Sequence, residues 1–584
     1  MIFIRSIFSI FLFVGFCAVG WAQREHPNVV VFLTDDQGWG DLSINGNTNL
    51  ETPRIDSLAK DGAIFDNFYV CSVCAPTRGE FLTARYYPKT GVSGVSRGEG
   101  RLNPDETTIA DVFKTAGYAT GAFGKWHNGT QSPYHPNDRG FDEFYGFTSG
   151  HWGAYFSPPL DHNGETVRGD GYVVDDFTDH AIEFIEANHK KSFFCYVPYN
   201  TPHSPMFIDD EFYDKFANWT PEMTHHEPER EDLAMTRAAL AMCENIDWNV
   251  GRILDAVDRL GIRDDTIVVY FSDNGPNSYR WNGGMKGRKG SIDEGGLRSP
   301  FLIRWPTKIK AGSRFEQLTS GLDLLPTLAN LAQIQIETAK PIDGRSFHDV
   351  LLNDAEWPDR NVLSIWRNQV SVRNSRFRLD ASGKLFDISA DRGQARDVRG
   401  EHPDIAAKLE SAAAEFGDEM QKHFQNNADR PFTVGYAKRT VLPARDGVAQ
   451  GTIERSSKAP NNSFFKNWTS EAAAITWDIE IGESGSFEAI VHYTCAQENV
   501  GALIQLSIDD STSTAAKVTE AFDPPFYDKS KERVAESHYF VKDFKPLSLG
   551  ELQLSKGRAS MRLSSPEIAG TESINVHSIE LIWK

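Results

Sequence analysis

Three short runs of apolar, largely β-branched residues dictate most of the fold: Asn28–Leu33 (NVVVFL), Ser192–Val197 (SFFCYV) and Thr266–Phe271 (TIVVYF). None alternates apolar with polar. Each therefore reads as a strand buried on both faces, the mark of a parallel sheet covered by helices. Helical patterns fall between them, over Thr107–Ala116, Val174–Asn188 and about Arg230 to Leu260. The alternation predicts a large doubly wound α/β domain over residues 23–336. Polar residues follow each run: Asp35-Asp36, then His203, then Asp273-Asn274. Open α/β sheets place their ligand crevice beyond that edge, so residues far apart in sequence converge there.

The chain then changes character. Residues 337–428 predict a smaller α+β subdomain, with strand-like stretches at Val370–Leu379 and Leu385–Ile388 and a helix from Pro403 to about His423. Residues 429–449 are polar, contain Pro431 and Pro443, and predict a linker. Residues 450–584 alternate strictly, as in Ile475, Trp477, Ile479, Ile481 and in Phe487, Ala489, Val491, Tyr493. Period-two segments parted by Gly, Ser and Asp turns predict a jelly-roll-like β-sandwich.

At the other end, Arg5, an apolar run over Ser6–Val19 and the small-residue frame Gly20-Trp21-Ala22 predict a signal peptide over 1–22. The expected destination is the periplasm or the exterior, with no membrane attachment after cleavage. A formal charge of −21 argues against a nucleic-acid partner. It also means that an anionic substrate must be drawn in by a local basic pocket. Cys71, Cys74, Cys195, Cys243 and Cys495 would remain after cleavage, an odd number from which no pairing follows.

The sharpest motif is Cys74-Ala75-Pro76-Thr77-Arg78, followed by Leu82-Thr83-Ala84-Arg85. Pro76 suits a first helical turn. Cys74 is then placed just before a helix N-terminus, which favours negative charge, and Arg78 lies one turn on, able to reach back to an anion. A buried structural cysteine is the commoner reading of such a residue. Asp35, Asp36, Asp273 and Asn274 offer only oxygen ligands, which suit Ca²⁺, or alternatively Mg²⁺, over zinc. Turn capping is the competing role for them. Lys125, His127, His203 and Lys289 supply cations and proton carriers.

These residues resemble the formylglycine-dependent sulfatases of the alkaline-phosphatase-like superfamily. The resemblance rests on six ordered motifs: Asn28–Asp41, Cys-x-Pro-x-Arg at 74–78, Gly124-Lys125-Trp126-His127, Thr201–Pro205, Phe271–Gly275, and Lys289-Gly290 with Glu294–Pro300. It implies that Cys74 is oxidised to formylglycine (3-oxoalanine) by a sulfatase-maturing enzyme and that its hydrate attacks sulfur. It implies a metal held by Asp35, Asp36, Asp273, Asn274 and the group at position 74. It further implies that Arg78 orients the nucleophile, Lys125 holds sulfate and nucleophile, His203 with Lys289 protonates the leaving alcohol, and His127 removes the second proton.

The loop from Gly150 carries His151, Trp152 and Tyr155, with His162 beyond it and Arg280 and Asn282 elsewhere. Aromatic faces mixed with polar groups suit a sugar ring. A sulfated polysaccharide or oligosaccharide is the expected substrate. Phosphate or phosphonate ester hydrolysis is the alternative, and an inactive glycan-binding protein is a third reading.

Overall fold

The computed structural model describes residues 26–509, 511–534 and 539–584. The leader expected over 1–22 lies outside these residues. Among the described residues no helix is long and apolar enough to cross a membrane, and the five cysteines are buried and free.

The three apolar runs lie at the heart of a ten-stranded mixed sheet. Strand Asn28–Thr34 pairs in parallel with Phe193–Pro198 on one side and Thr266–Ser272 on the other. Ala119–Lys125 and Glu143–Phe147 extend the parallel part. Antiparallel partners then flank it: Phe301–Arg304 next to Thr266–Ser272, and Pro159–His162 next to Glu143–Phe147. Along Asn28–Thr34, Val30 and Phe32 pack with helices Val173–Asn188 and Leu233–Arg259. Val29, Val31 and Leu33 pack with helices Cys74–Thr83, Ile109–Thr115 and Leu324–Leu331. Successive side chains of one strand thus enter two different cores, so the strand carries no polar residue within it.

A four-stranded antiparallel sheet follows, in the order Val362–Trp366, Gln369–Arg373, Phe377–Leu379, Leu385–Asp387. Helix Pro403–Asn426 packs on it through Leu409, Phe416 and Met420. This unit is pinned to the large domain by a buried cluster around Glu294. Its carboxylate lies 3.2 Å from Arg298 and 2.9 Å from Arg378, and accepts a 2.6 Å hydrogen bond from Tyr69. Burial alone would raise its pKa, but Arg378, Arg373 and Arg298 bring it down to about 2.

The C-terminal region is a β-sandwich of two six-stranded sheets closing on Ile475, Trp477, Val491, Leu506, Leu563 and Ile579. The segment expected as a linker is built into it. Phe432–Val434 pairs with Ala474–Ile481, and Arg439–Pro443 pairs with Asn575–Trp583. These pieces are short and lack a clean alternation, so their polarity resembled that of a loop. Their strand character comes from neighbours that lie far off in sequence.

Candidate functional site

The carboxyl ends of the central strands deliver their polar residues into one volume. Asp35 and Asp36 follow Asn28–Thr34, Asp273 and Asn274 follow Thr266–Ser272, Lys125 ends its strand, and His203 follows Phe193–Pro198. Helix Cys74–Thr83 starts at the same edge, with Cys74 its first residue and not the one before it. Asp36 and His127 both hold φ at 68°, a conformation that costs a non-glycine residue and persists where the surroundings impose it.

Three ion pairs knit the floor. Lys125 Nζ lies 2.6 Å from Asp35 Oδ2, Lys289 Nζ 2.7 Å from Asp36 Oδ1, and Arg78 Nη2 2.9 Å from Asp273 Oδ2. Arg78 also donates to the Lys125 carbonyl at 2.8 Å. Its guanidinium therefore reaches Asp273. Asn274 Nδ2 donates to Asp36 Oδ1 at 2.9 Å. Ligand atoms of Asp35, Cys74 and Asp273 lie within 4.8 Å of one another, as do those of Asp35, Asp36 and His203. Asp35 Oδ1 and Asn274 Oδ1 are buried and take no hydrogen bond. A buried unpaired acceptor costs roughly 1–3 kcal/mol, so these two oxygens are open to an electrophile such as a cation. Burial and the Asp35 charge push the Asp273 carboxyl up, against Arg78. Burial also works against ionised Asp36, but Lys289 and His203 hold it below the usual carboxylate range. Oxygen-only donors with two bare, buried oxygens fit a hard divalent cation.

The histidines have defined tautomers. His127 Nε2 lies 2.9 Å from the Val95 carbonyl. A carbonyl only accepts, so Nε2 carries the hydrogen and Nδ1 is the bare lone pair. Nδ1 is buried without a partner. Burial, then Lys125, push this imidazole well below its ordinary pKa, so it stands as a neutral base. His203 Nδ1 donates to the Ser204 carbonyl at 2.6 Å and its Nε2 lies 3.7 Å from Asp36 Oδ2. Burial and Lys289 push His203 down to about 3, with Asp36 pulling it back. Burial raises the Cys74 thiol, and Lys125 and Lys289 only partly oppose that. As an unmodified cysteine it is a thiol at neutral pH, a poor nucleophile.

The expected substrate residues divide. His151 is buried, stacks on His203 at 5.6 Å between ring centroids, and leaves Nε2 without a partner. The other five are held by the protein itself. Trp152 Nε1 donates to the Pro159 carbonyl, and Tyr155 OH donates to the His203 carbonyl at 2.9 Å. His162 sits on a peripheral strand, 3.9 Å from Glu143. Arg280 forms a buried pair with Asp41 at 2.6 Å, and Asn282 accepts from Gly40 N. Arg280 also donates to the Asp36 carbonyl at 3.1 Å, so it braces the loop that carries Asp36. Asn128, which departs from the apolar residue of the resemblance, is a tie: it donates to the carbonyls of Ala75 and Gly100.

Two neighbours escaped sequence reasoning because they come from the sandwich. Tyr539 packs its ring on His151 at 4.8 Å, and Asn461 donates to the same Val95 carbonyl that accepts from His127. Neither sits in a motif, and only the tertiary fold brings them here.

A sulfatase family profile matches residues 27–334, more than half of the chain and all of the strands that feed this site. The chain belongs to the sulfatase family. It is accordingly a sulfuric ester hydrolase. Sulfatases in general depend on a metal and on a modified cysteine, and the residues able to hold an ion are present here. Mouse N-acetylgalactosamine-6-sulfatase is 31% identical over 385 residues, covering 60% of this chain and 70% of that one. The structure of Ps i-CgsB in complex with k-i-k-neocarrahexaose superposes with a TM-score of 0.61 at 28% identity, over 69% of this chain and 98% of that one. A phosphonate monoester hydrolase of Agrobacterium radiobacter shares the fold at 20% identity and a TM-score of 0.53, over 68% of this sulfatase and 96% of that chain.

Proposed function

We propose that this sulfatase hydrolyses sulfate esters of carbohydrates, using formylglycine made from Cys74 and a Ca²⁺ ion held by Asp35, Asp36, Asp273 and Asn274. The observation that carries the reading is the pair of bare, buried oxygens, Asp35 Oδ1 and Asn274 Oδ1, beside Cys74 at the head of its helix. Matured Cys74 would supply a hydroxyl nucleophile, and the bound ion would polarise it and the sulfate oxygens. Lys125 and Lys289 face this point and would hold the sulfate, with their charge offset by Asp35 and Asp36. His203, through Nε2, would protonate the leaving oxygen. An arriving sulfate would raise its proton affinity. Through its bare Nδ1, His127 would act as the base toward the hydroxyl at position 74.

The carbohydrate class is favoured by the relatives, whose names specify N-acetylgalactosamine-6-sulfate and a carrageenan oligosaccharide. Export before Gln23 and a sulfatase-maturing enzyme as partner belong to the same reading. The test is sulfate release from defined sulfated mono- and oligosaccharides, by enzyme whose Asp61–Arg78 tryptic peptide shows the mass of formylglycine. Release that Cys74→Ala lacks supports the reading. Release of phosphonate alone would transfer it to the phosphonate hydrolases, and equal release by Cys74→Ala would overturn the mechanism.

A further inference from the structure

The β-sandwich is joined to the catalytic domain close to the active-site histidines, and the joint is shaped from both sides. Its turn at Pro460–Asn462 reaches the site: the Asn461 carbonyl accepts from Ser149 Oγ at 2.6 Å. A Cβ on Gly150 would fall 2.1 Å from Asn461 Nδ2 and 2.4 Å from His127 Nε2. A Cβ on Gly153 would fall 2.1 Å from Asn462 Nδ2 and 2.5 Å from Val541. The loop bearing His151 therefore has glycine where the sandwich comes closest.

A second part of the sandwich, residues 527–533 and 539–541 from the connection between strands Thr512–Lys517 and Lys545–Leu554, lies beside the same loop. Its Arg533 N donates to the Met206 carbonyl at 2.9 Å, and Ile208 N donates back to the Lys531 carbonyl. Lys531 pairs with Asp209 at 3.1 Å. Between this connection and the catalytic domain runs an open cleft of about 590 Å³, lined by Tyr155, Phe156, Arg168, Tyr527, Lys531 and Tyr539 among others. One end of the cleft meets the active site, since Tyr539 touches His151 and Tyr155 donates to the backbone of His203. The volume is in the range of small-ligand sites. Tyrosine rings set among ion pairs, Arg168 with Asp543 and Lys531 with Asp209, suit the apolar face and hydroxyls of a sugar ring.

We propose that the β-sandwich forms a wall of the substrate cleft, that this cleft holds the sugar next to the sulfated one, and that Tyr539 is its specificity-determining contact. The proposal rests on the carbohydrate reading above and is tested apart from turnover. Full-length Cys74→Ala is titrated calorimetrically with a defined sulfated galactan hexasaccharide, a defined sulfated glycosaminoglycan hexasaccharide, and the matching sulfated monosaccharides. Ser530→Trp fills the cleft from an exposed position, and Tyr539→Ala removes the ring.

Each added change should weaken the better-bound hexasaccharide at least tenfold and leave the monosaccharide within twofold. In the active enzyme, both variants should raise KM for the hexasaccharide, Ser530→Trp should leave p-nitrophenyl sulfate turnover unchanged, and Tyr539→Phe should restore KM. Equal losses on long and short ligands, or no loss on either, would overturn the proposal. A wild-type enzyme that binds the hexasaccharide but releases no sulfate would count against the reaction alone.

Discussion

The Glu294 cluster and the sheet-edge site both join buried carboxylates to bases, and they are finished differently. Around Glu294, one carboxylate meets Arg298, Arg378 and a tyrosine hydroxyl, and neither of its oxygens lacks a partner. At the sheet edge, three carboxylates meet three cations, yet Asp35 Oδ1 and Asn274 Oδ1 have none. The first cluster ties the four-stranded sheet to the large domain, and both oxygens of its carboxylate are filled by the protein. The second is charge-balanced but under-coordinated, and is completed only by something the chain does not encode. Burial and ion pairing are common to both; what differs is that the acceptor oxygens are filled in the first and two stand bare in the second.

The sharpest break between them is catalytic. Cys74→Ala should abolish sulfate release, by at least ~10⁴-fold given what removal of a covalent nucleophile costs, while thermal unfolding changes little. Glu294→Ala should do the reverse, stranding buried arginines and lowering stability by roughly 3–5 kcal/mol, read as a fall in Tm. Removing the metal should come next. Chelation should lower Tm by the linkage term, about 3 kcal/mol at a hundredfold excess of ion over Kd, and restored Ca²⁺ should reverse it. An Asp35→Asn, Asp36→Asn double variant should show no such response.

A graded effect concerns Glu80, on the same helix as Cys74, whose pKa burial lifts from 4.5 to about 8 against a hydrogen bond from Tyr87 N. A raised folded pKa means that the folded state holds the proton more tightly. The contribution is then complete below about pH 4.5 and fades as pH rises through about 8. Glu80→Gln should match wild type in Tm at pH 4 and exceed it increasingly towards pH 9.

Much of this was legible in sequence where one physical rule acted alone. Val29 to Leu33 had to be buried on both faces because nothing polar interrupts them, and Ile475 to Ile481 had to be a one-faced strand because apolar and polar alternate. The floor of the site was legible for a related reason: the residues after each parallel strand must meet at one edge. Legibility failed where position depended on a distant partner. Phe432–Val434 resembled a linker until Ala474–Ile481 gave it a ladder. Arg280 and Tyr155 had the chemistry of a sugar site, but Asp41 and the His203 carbonyl hold their polar groups. Tyr539 carried no local signal at all.

The sandwich strand Asn575–Trp583 lies inside its sheet, between Arg439–Pro443 and Gly485–Thr494. That sheet cannot close until the ribosome has delivered almost the whole chain, so the wall over His151 is set in place last. On the formylglycine reading, a modifying enzyme would have to reach Cys74, 3% exposed once folded, before the large domain closes around it.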